Sequence, residues 1–160
     1  MEIAIVSDTH VPSRASRIPE TVRDRIASAD HVLHAGDFDS RGAIANVRDL
    51  APELTAVAGN VDPAVGLPSV ASVDLGGVTF VVTHGTGPDR GYEDRVADAV
   101  RQRDGDVGVS GHTHEVMDVE RDGMRLLNPG SATGAAPARR TTMMTATVED
   151  GDLDVELHEI

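Results

Sequence analysis

The chain lacks cysteine, lysine and tryptophan, and it has only one tyrosine and two phenylalanines among its 160 residues. Without cysteine it can form neither a disulfide nor a thiolate metal site, so any metal must be held by nitrogen and oxygen ligands. No apolar run approaches the roughly 18 residues that a membrane-spanning helix needs. The first ten residues, MEIAIVSDTH, lack the basic start of a signal peptide. We therefore expect a soluble, cytoplasmic protein that does not associate with membranes.

Acidic residues dominate the charge of the chain. There are 27 Asp and Glu residues against 14 basic residues, all of them Arg, and the net charge is −13. Strand-like runs such as IAIV, VTFVV and TMMTATV argue against disorder, so this charge must coat a folded domain. Such a coat is typical of proteins from halophiles, and we expect a halophilic source. The same charge disfavours long nucleic acids, whose phosphates require a basic surface.

The first 60 residues alternate between strand and helix patterns. Apolar, β-branched runs predict strands over residues 2–6, 31–34 and 54–58. Helices are expected over about 19–28, with Pro19 in the first turn, and about 40–50, with Ser40 as the N-cap. This rhythm predicts an α/β fold with a parallel sheet.

The remaining residues predict hairpins. Gly76-Gly77 separates the runs 70–75 and 78–83, and similar turns separate 116–120 from 124–127 and 141–148 from 152–158. A helix over about 92–103 and a strand over 106–110 lie between the first two hairpins. We expect two mixed β-sheets packed face to face with flanking helices, in a single domain that spans residues 1–160.

Polar clusters follow five of the predicted strands. They read 7-SDTH-10, 36-GD-37, 59-GN-60, 83-THG-85 and 111-GHTH-114. Sites in α/β sheets form beyond the carboxyl ends of the strands, so these clusters should share one rim. Together they offer seven candidate metal ligands: Asp8, His10, Asp37, Asn60, His84, His112 and His114. In an extended chain residues i and i+2 face the same side, so each D-x-H or H-x-H pair could reach one metal or a close pair of metals.

Each cluster has an ordinary structural interpretation when it is taken alone. D-x-H is common in surface loops, G-D and G-N are common turns, and a single histidine is more often structural than catalytic. The pair G-H-x-H favours neither interpretation by itself. The glycines beside the clusters, Gly36, Gly59, Gly85 and Gly111, permit tight turns and a close approach of the backbone. The occurrence of all five clusters, each directly after a predicted strand, favours a metal site.

The ordered series D-x-H, G-D, G-N, H and G-H-x-H resembles the calcineurin-like metallophosphoesterase superfamily. The short chain is similar to its compact YfcE-like phosphodiesterase branch, which has a Vps29-like fold. The resemblance extends from Met1 to the 128-NPGS-131 loop, and it implies a two-sheet sandwich flanked by helices. It also implies hydrolysis of a small phosphoester by a hydroxide held between two divalent metal ions.

The resemblance assigns ligands to both ions. It implies a first metal held by Asp8, His10, Asp37 and His114, and a second held by Asp37, Asn60, His84 and His112. Asp37 would bridge the two, and Asp37, Asn60 and His84 would form the catalytic centre. The family favours Mn²⁺, and nitrogen and oxygen ligands also accept Ni²⁺, Co²⁺, Fe²⁺ or Zn²⁺. Because histidine ligands must be neutral, we expect activity to be lost below about pH 6.

The sequence departs from the family pattern at 59-GNVD-62. Many members have G-N-H followed by an acid, and that histidine is placed to protonate the leaving group. Val61 has no proton to give, so we expect a preference for substrates with good leaving groups, such as aryl diesters. The next residue, Asp62, is either a support for the site or a plain turn residue.

Several other residues have two interpretations. His34 either supports the site or is a buried structural residue, and Asn128 either shapes the floor of the cleft or only forms a turn. Arg139 and Arg140 could bind a substrate phosphate or merely balance surface charge. Asp39 either supports Asp37 or begins the second helix. Thr113 should face away from the site and be replaceable.

Two other classes of protein compete with the enzyme. The first is a Vps29-like protein-binding scaffold with little or no activity, and intact ligands at all seven positions favour the enzyme over it. The second is a nucleotide-binding α/β protein. It would need a G-x-G-x-x-G or Walker loop after the first strand, where SDTHVPS stands instead. We expect a small phosphoester as the binding partner, and relatives suggest a homo-oligomer.

Overall fold

Ten strands and three helices form two five-stranded sheets. The structure is a computed structural model that describes residues 1–160. The strands are β1 (Glu2–Val6), β2 (His31–His34), β3 (Leu54–Ala56), β4 (Val70–Leu75), β5 (Val78–Thr83), β6 (Val107–Val109), β7 (Val116–Arg121), β8 (Met124–Pro129), β9 (Thr142–Glu149) and β10 (Asp152–Glu159). The helices are α1 (Glu20–Ser28), α2 (Arg41–Leu50) and α3 (Tyr92–Gln102).

Both sheets have a parallel centre and antiparallel additions. One sheet has the order β10-β9-β1-β2-β3, in which β1, β2 and β3 run parallel. The other has the order β4-β5-β6-β8-β7, in which β5, β6 and β8 run parallel. The three predicted hairpins are β4-β5, β7-β8 and β9-β10. The predicted fold class, two mixed sheets with flanking helices, is confirmed.

Strand β1 shows why the two sheets stack with helices outside. Ile3 and Ile5 join the core between the sheets, where Phe80 of β5 also lies. Ala4 and Val6 point to the other face and pack with residues of α1 and α2. A strand that is apolar on both faces is stable only when both faces are covered, and each fully buried Ile contributes roughly 1.5–3 kcal/mol. Helix α3 covers the outer face of the second sheet.

Some predicted boundaries need correction. The strand expected over 54–58 ends at Ala56, because the Ala58 amide donates to the Pro68 carbonyl at 2.9 Å instead of continuing the sheet. Pro19 precedes α1 rather than lying within it. The predicted cap of α2 is confirmed, since the Ser40 hydroxyl accepts a hydrogen bond from the Ala43 amide at 3.0 Å. None of the three helices is long and apolar enough to cross a membrane.

Candidate metal centre

The five polar clusters meet at one end of the sandwich. Each follows the carboxyl end of a parallel strand, three in one sheet and two in the other. Backbone hydrogen bonds tie the loops together: the Asp8 amide donates to the Gly36 carbonyl at 3.0 Å, and the Gly111 amide donates to the His84 carbonyl at 3.1 Å. Two groups of possible metal ligands result, Asp8-His10-His114 and Asp8-Asp37-His84, and within each group the ligand atoms lie within 4.8 Å of one another.

The backbone at these clusters is not extended, so the predicted reason for their convergence is wrong. Asp8, His10, His112 and His114 have φ angles of 52°, 45°, 72° and 61°. This left-handed region is uncommon for residues other than glycine and costs of the order of 1–3 kcal/mol per residue where it persists at functional sites. The side chains therefore converge because the loops turn back on themselves, and not because alternate residues of a strand face one side.

All four histidines at the site are held in one orientation by a hydrogen bond from the outer ring nitrogen. Each outer nitrogen faces an atom that can only accept, so the nitrogen must be the donor. The pairs are His10 Nδ1 with Asp39 Oδ1 at 2.8 Å, His84 Nδ1 with the Ala35 carbonyl at 2.6 Å, His114 Nδ1 with the Ala135 carbonyl at 2.8 Å, and His112 Nε2 with the Gly87 carbonyl at 2.9 Å. In the neutral rings, the inner nitrogens consequently present lone pairs to the centre.

The two central carboxylates are anchored in the same way. One oxygen of Asp8 accepts hydrogen bonds from the Ser7 hydroxyl at 2.8 Å and the His112 amide at 3.1 Å. Its other oxygen lies 3.3 Å from His114 Nε2, 3.8 Å from His10 Nε2 and 3.9 Å from His84 Nε2. Asp8 is thus shared by the two groups of possible ligands.

Asp37 has a matching arrangement. Its Oδ1 accepts a hydrogen bond from the Val61 amide at 3.1 Å, while Oδ2 lies 3.1 Å from His84 Nε2 and 3.5 Å from His10 Nε2. The resemblance named only Asp37 as shared, and the structure gives both carboxylates contacts with more than one histidine. The last two predicted ligands meet here too, since Asn60 Oδ1 lies 3.0 Å from His84 Nε2 and 3.1 Å from His112 Nδ1.

The donor atoms fit a cation. His10 Nε2 and His114 Nε2 lie 3.2 Å apart, yet both rings already donate from Nδ1. Two neutral rings would therefore oppose their lone pairs, and only a proton or a metal ion between them removes the conflict. The nitrogen and oxygen donors suit borderline divalent ions, and neutral imidazoles with ionised carboxylates are the forms that bind metal.

The charges of the site point the same way. Burial by itself would lower the pKa of His84 and His114, but hydrogen bonds to Asp37 and Asp8 respectively, together with the charge of Asp8, raise both above the ordinary value. Burial would raise the pKa of Asp37, but its contact with His84 lowers it. Asp37 thus stays ionised and attracts positive charge to the centre.

Asp62 builds the loops that carry the ligands, which resolves its two interpretations in favour of support. Its carboxylate accepts hydrogen bonds from four backbone amides at 2.7–2.9 Å, those of Asp37, Phe38, Asp39 and Gly59. It thereby joins the loops after β2 and β3. Gly59 is required at this junction, because a Cβ there would lie 2.0 Å from Asp37 Oδ1.

Asp39 neither supports Asp37 nor begins the second helix, as had been expected, but contacts His10. Its carboxylate orients His10 and also contacts the Ser13 hydroxyl, so it supports His10 rather than Asp37. The acid two residues after Asp37 was visible in the sequence. Its partner could not be inferred from spacing, since His10 lies on another loop.

Of the two interpretations of His34, the structure favours a buried structural residue. Its ring is fully buried and stacks on Phe38 with ring centroids 3.6 Å apart. Nδ1 accepts a hydrogen bond from the Gly36 amide at 3.1 Å, and Nε2 bonds the Thr9 hydroxyl at 3.2 Å. Burial lowers the pKa of His34 to about 4, so the ring is neutral at pH 7.

Asn128 fixes the turn beneath the G-H-x-H cluster. Its amide nitrogen lies 3.0 Å from both the Gly111 carbonyl and the Thr113 hydroxyl, and its oxygen accepts a hydrogen bond from the Gly130 amide at 2.9 Å. The Thr113 hydroxyl is thus hydrogen-bonded to Asn128, and the expectation that Thr113 is replaceable stays a prediction.

Arg95 supports the site without a signal in the sequence. Its guanidinium donates to the carbonyls of Gly85, Pro88 and Arg90 at 3.1, 2.7 and 3.2 Å. It thus holds the loop whose Gly87 carbonyl orients His112. Backbone acceptors of this kind have no residue preference, so composition and spacing could not reveal them.

A family model of the calcineurin-like phosphoesterase superfamily domain matches residues 1–151. A probable metallophosphoesterase from Methanothermobacter thermautotrophicus is 34% identical over 159 residues, covering 98% of this chain and 91% of the relative. A probable metallophosphoesterase from Methanocaldococcus jannaschii is 32% identical over 152 residues, covering 94% and 77% of the two chains. Among solved structures, Vps29 from Entamoeba histolytica in complex with Zn²⁺ superimposes with a TM-score of 0.82 at 28% identity, covering 100% of this chain and 98% of that one.

Proposed function

The chain belongs to the calcineurin-like phosphoesterase superfamily, and on that basis we propose that it is a phosphodiesterase with a dinuclear metal centre. The observation that carries the proposal is the contact at 3.2 Å between the inner nitrogens of His10 and His114, which needs a cation. Asp8 and Asp37 each approach more than one histidine, which supports a pair of ions that share carboxylates.

Two sets of residues would hold the ions. Asp8, His10, Asp37 and His114 would hold one, and Asp37, Asn60, His84 and His112 would hold the other. Divalent ions bound there would supply a nucleophile from water near neutral pH and neutralise charge on the phosphoryl group. The chain itself contributes fixed orientation, because each histidine and each central carboxylate keeps one atom bonded to the protein and presents the other to the centre.

A preference for good leaving groups follows from what the chain lacks beside the ligands. Val61 is 40% exposed at this rim and cannot protonate a leaving group. Solvent would have to supply that proton, which favours leaving groups that depart as stable anions. We further propose Mn²⁺ as the metal in use, a cytoplasmic location and a halophilic source, the last on the net charge of −13.

The test is a hydrolysis assay of protein that has been chelated and reloaded with Mn²⁺. Bis-nitrophenyl phosphate should be hydrolysed faster than the nitrophenyl monoester, and both rates should disappear with chelator. His112→Ala should lose mainly one equivalent of metal and His114→Ala mainly the other, as measured by calorimetry. Absence of metal-dependent hydrolysis of either ester would overturn the proposal.

A Vps29-like scaffold is the second candidate, and the TM-score of 0.82 to Vps29 favours it. A scaffold needs the fold but not turnover. If the reloaded protein binds metal with the expected stoichiometry and hydrolyses neither ester, the scaffold becomes the better proposal.

A further inference from the structure

A cleft of about 230 Å³ opens directly beside His114. Its walls include Glu115, Pro137, Arg139 and Arg140, and Val116 is the single hydrophobic residue among those that line it. Because His114 is one of the proposed ligands, this cleft adjoins the proposed metal centre. A lining with so little apolar surface suits a polar or charged group.

Arg139 is the residue in this cleft that is free to bind. It is exposed and makes no side-chain hydrogen bond or ion pair, whereas Arg101, Arg121 and Arg125 are paired with carboxylates elsewhere on the surface. Arg140 reaches Glu159 at 3.4 Å, but both side chains are about half exposed, and such pairs contribute little. In a chain with 27 acidic residues, an unpaired arginine in this cleft is available for an anionic group.

The loop that carries Arg139 also fixes His114. The Ala135 carbonyl accepts the hydrogen bond from His114 Nδ1 at 2.8 Å, and the neighbouring Ala136 carbonyl accepts one from Arg14 at 2.8 Å. The Ser131 hydroxyl anchors the start of the loop to the Asp8 carbonyl at 2.7 Å. The arginines and the metal centre are thus joined by a short, tethered segment.

Recognition of a nucleobase by stacking finds no support at this site. Stacking requires an accessible aromatic side chain, and the chain has only Phe38, Phe80 and Tyr92. All three are buried in the core, with exposures of 0, 0 and 8%. The cleft can therefore bind a substrate mainly through its charged side chains.

We propose that the cleft formed by Arg139 and Arg140 beside His114 binds a second anionic group of the substrate, a phosphate or a carboxylate a few bonds from the scissile phosphorus. The natural substrate is accordingly a small phosphoester with two charged groups and no requirement for a base. This inference rests on the proposed function, because it assumes that the phosphoester binds at the metal centre.

Calorimetry on the Mn²⁺-loaded protein tests the inference without turnover. Propylphosphonate, 2-carboxyethylphosphonate and ethane-1,2-diphosphonate share two methylene groups and one phosphonate, and they differ only in the group at the far end. The two compounds with a second anionic group should bind at least about tenfold more tightly than propylphosphonate, and whichever of them binds more tightly identifies the preferred group. Arg139→Gln should abolish most of this difference. Arg103→Gln removes the same charge at the far end of α3 and should retain it.

Steady-state kinetics provides a second test of the inference. Nitrophenyl propyl phosphate and nitrophenyl 2-carboxyethyl phosphate share a leaving group, so a higher kcat/KM for the second compound measures the cleft alone. Arg139→Gln should reduce kcat/KM for the carboxyethyl ester about tenfold more than for the propyl ester. Equal binding of the three phosphonates overturns the inference. A binding preference without hydrolysis of either ester overturns the proposed function and the substrate assignment, and leaves only the anion-binding cleft supported.

Discussion

The inner nitrogens of His10 and His114 lie 3.2 Å apart, although the outer nitrogen of each ring already donates a hydrogen bond to the protein. Because two lone pairs oppose each other in this contact, the arrangement of the protein itself favours a positive charge at the site. Without metal a shared proton would relieve this contact, and His10 and His114 would have to release it in order to hold a metal ion. Metal binding and proton release should therefore be coupled.

The first prediction concerns that coupling. Because the pKa values of His84 and His114 are raised, these rings remain protonated at a higher pH than ordinary histidines. Affinity for Mn²⁺ should accordingly start to fall at a pH above the ordinary histidine value of about 6.5 as the pH is lowered. Calorimetry in buffers of different ionisation enthalpy counts the released protons. Equal affinity at pH 5.5 and pH 8 would contradict the coupling.

Asp39 should act on metal affinity through His10. Its carboxylate, 9% exposed, keeps the proton of His10 on Nδ1 and leaves Nε2 free for the centre. Replacing such a partner typically costs about 10–100-fold in metal affinity, so Asp39→Asn should weaken Mn²⁺ binding by about that factor. Asp49→Asn removes the same charge from an exposed position on α2 and is the matched control. If the two variants bind Mn²⁺ alike, Asp39 does not orient His10.

Asp62 should matter for stability as well as for the site. An asparagine offers one acceptor oxygen in place of two, so Asp62→Asn leaves some of the four backbone amides without a partner. Each group left unsatisfied costs about 1–3 kcal/mol when it is buried, and partial exposure reduces that cost. We expect the free energy of unfolding in urea to fall by about 1–3 kcal/mol. Asp152→Asn in the exposed strand β10 should leave it unchanged, and a loss of the same size there would refute the assignment.

His34 should make stability depend on pH. Its pKa is about 4 in the folded protein because the ring is buried, against about 6.5 in the unfolded chain. Between these values only the unfolded chain takes up the proton, so this contribution is present above pH 6.5 and is lost as the pH falls toward 4. Its full size is about 3 kcal/mol. In His34→Gln, the free energy of unfolding should fall less between pH 6.5 and 4, by about that amount. Above pH 7 the curves of unfolding free energy against pH should run parallel for the two proteins. Parallel curves throughout would show that His34 is not held neutral.

The fold and the position of the site could be predicted because both depend on local signals. β1 is apolar on both faces, Ser40 caps α2 and Gly76-Gly77 closes a hairpin, and each feature acts through its own neighbours. Polar residues directly after parallel strands must lie at one rim whatever the details of the loops. The seven predicted ligand positions therefore come together although the backbone reason given for it was wrong.

The supporting contacts could not be predicted because they join residues that are distant in sequence or use backbone atoms. The bond from Asp39 to His10 spans 29 residues, and that from Ser131 to the Asp8 carbonyl spans 123. The carbonyls that orient His84 and His112 belong to Ala35 and Gly87, whose side chains carry no chemical signal. The left-handed φ angles at Asp8 and His10 could not be predicted from the sequence either, since aspartate and histidine adopt such angles only rarely in proteins.

The last prediction tests the missing proton donor. Val61 is 40% exposed beside Asn60, and its amide, not its side chain, serves the site by donating to Asp37. A side chain can therefore be exchanged there without removing a ligand, and Val61→His would introduce a general acid, which typically contributes about 10²–10⁴-fold. Turnover of an alkyl diester, whose leaving group needs the proton, should rise far more than turnover of bis-nitrophenyl phosphate. Val61→Phe supplies bulk without an acid and should show no such difference. Equal effects of Val61→His on both substrates would mean that leaving-group protonation does not limit the reaction.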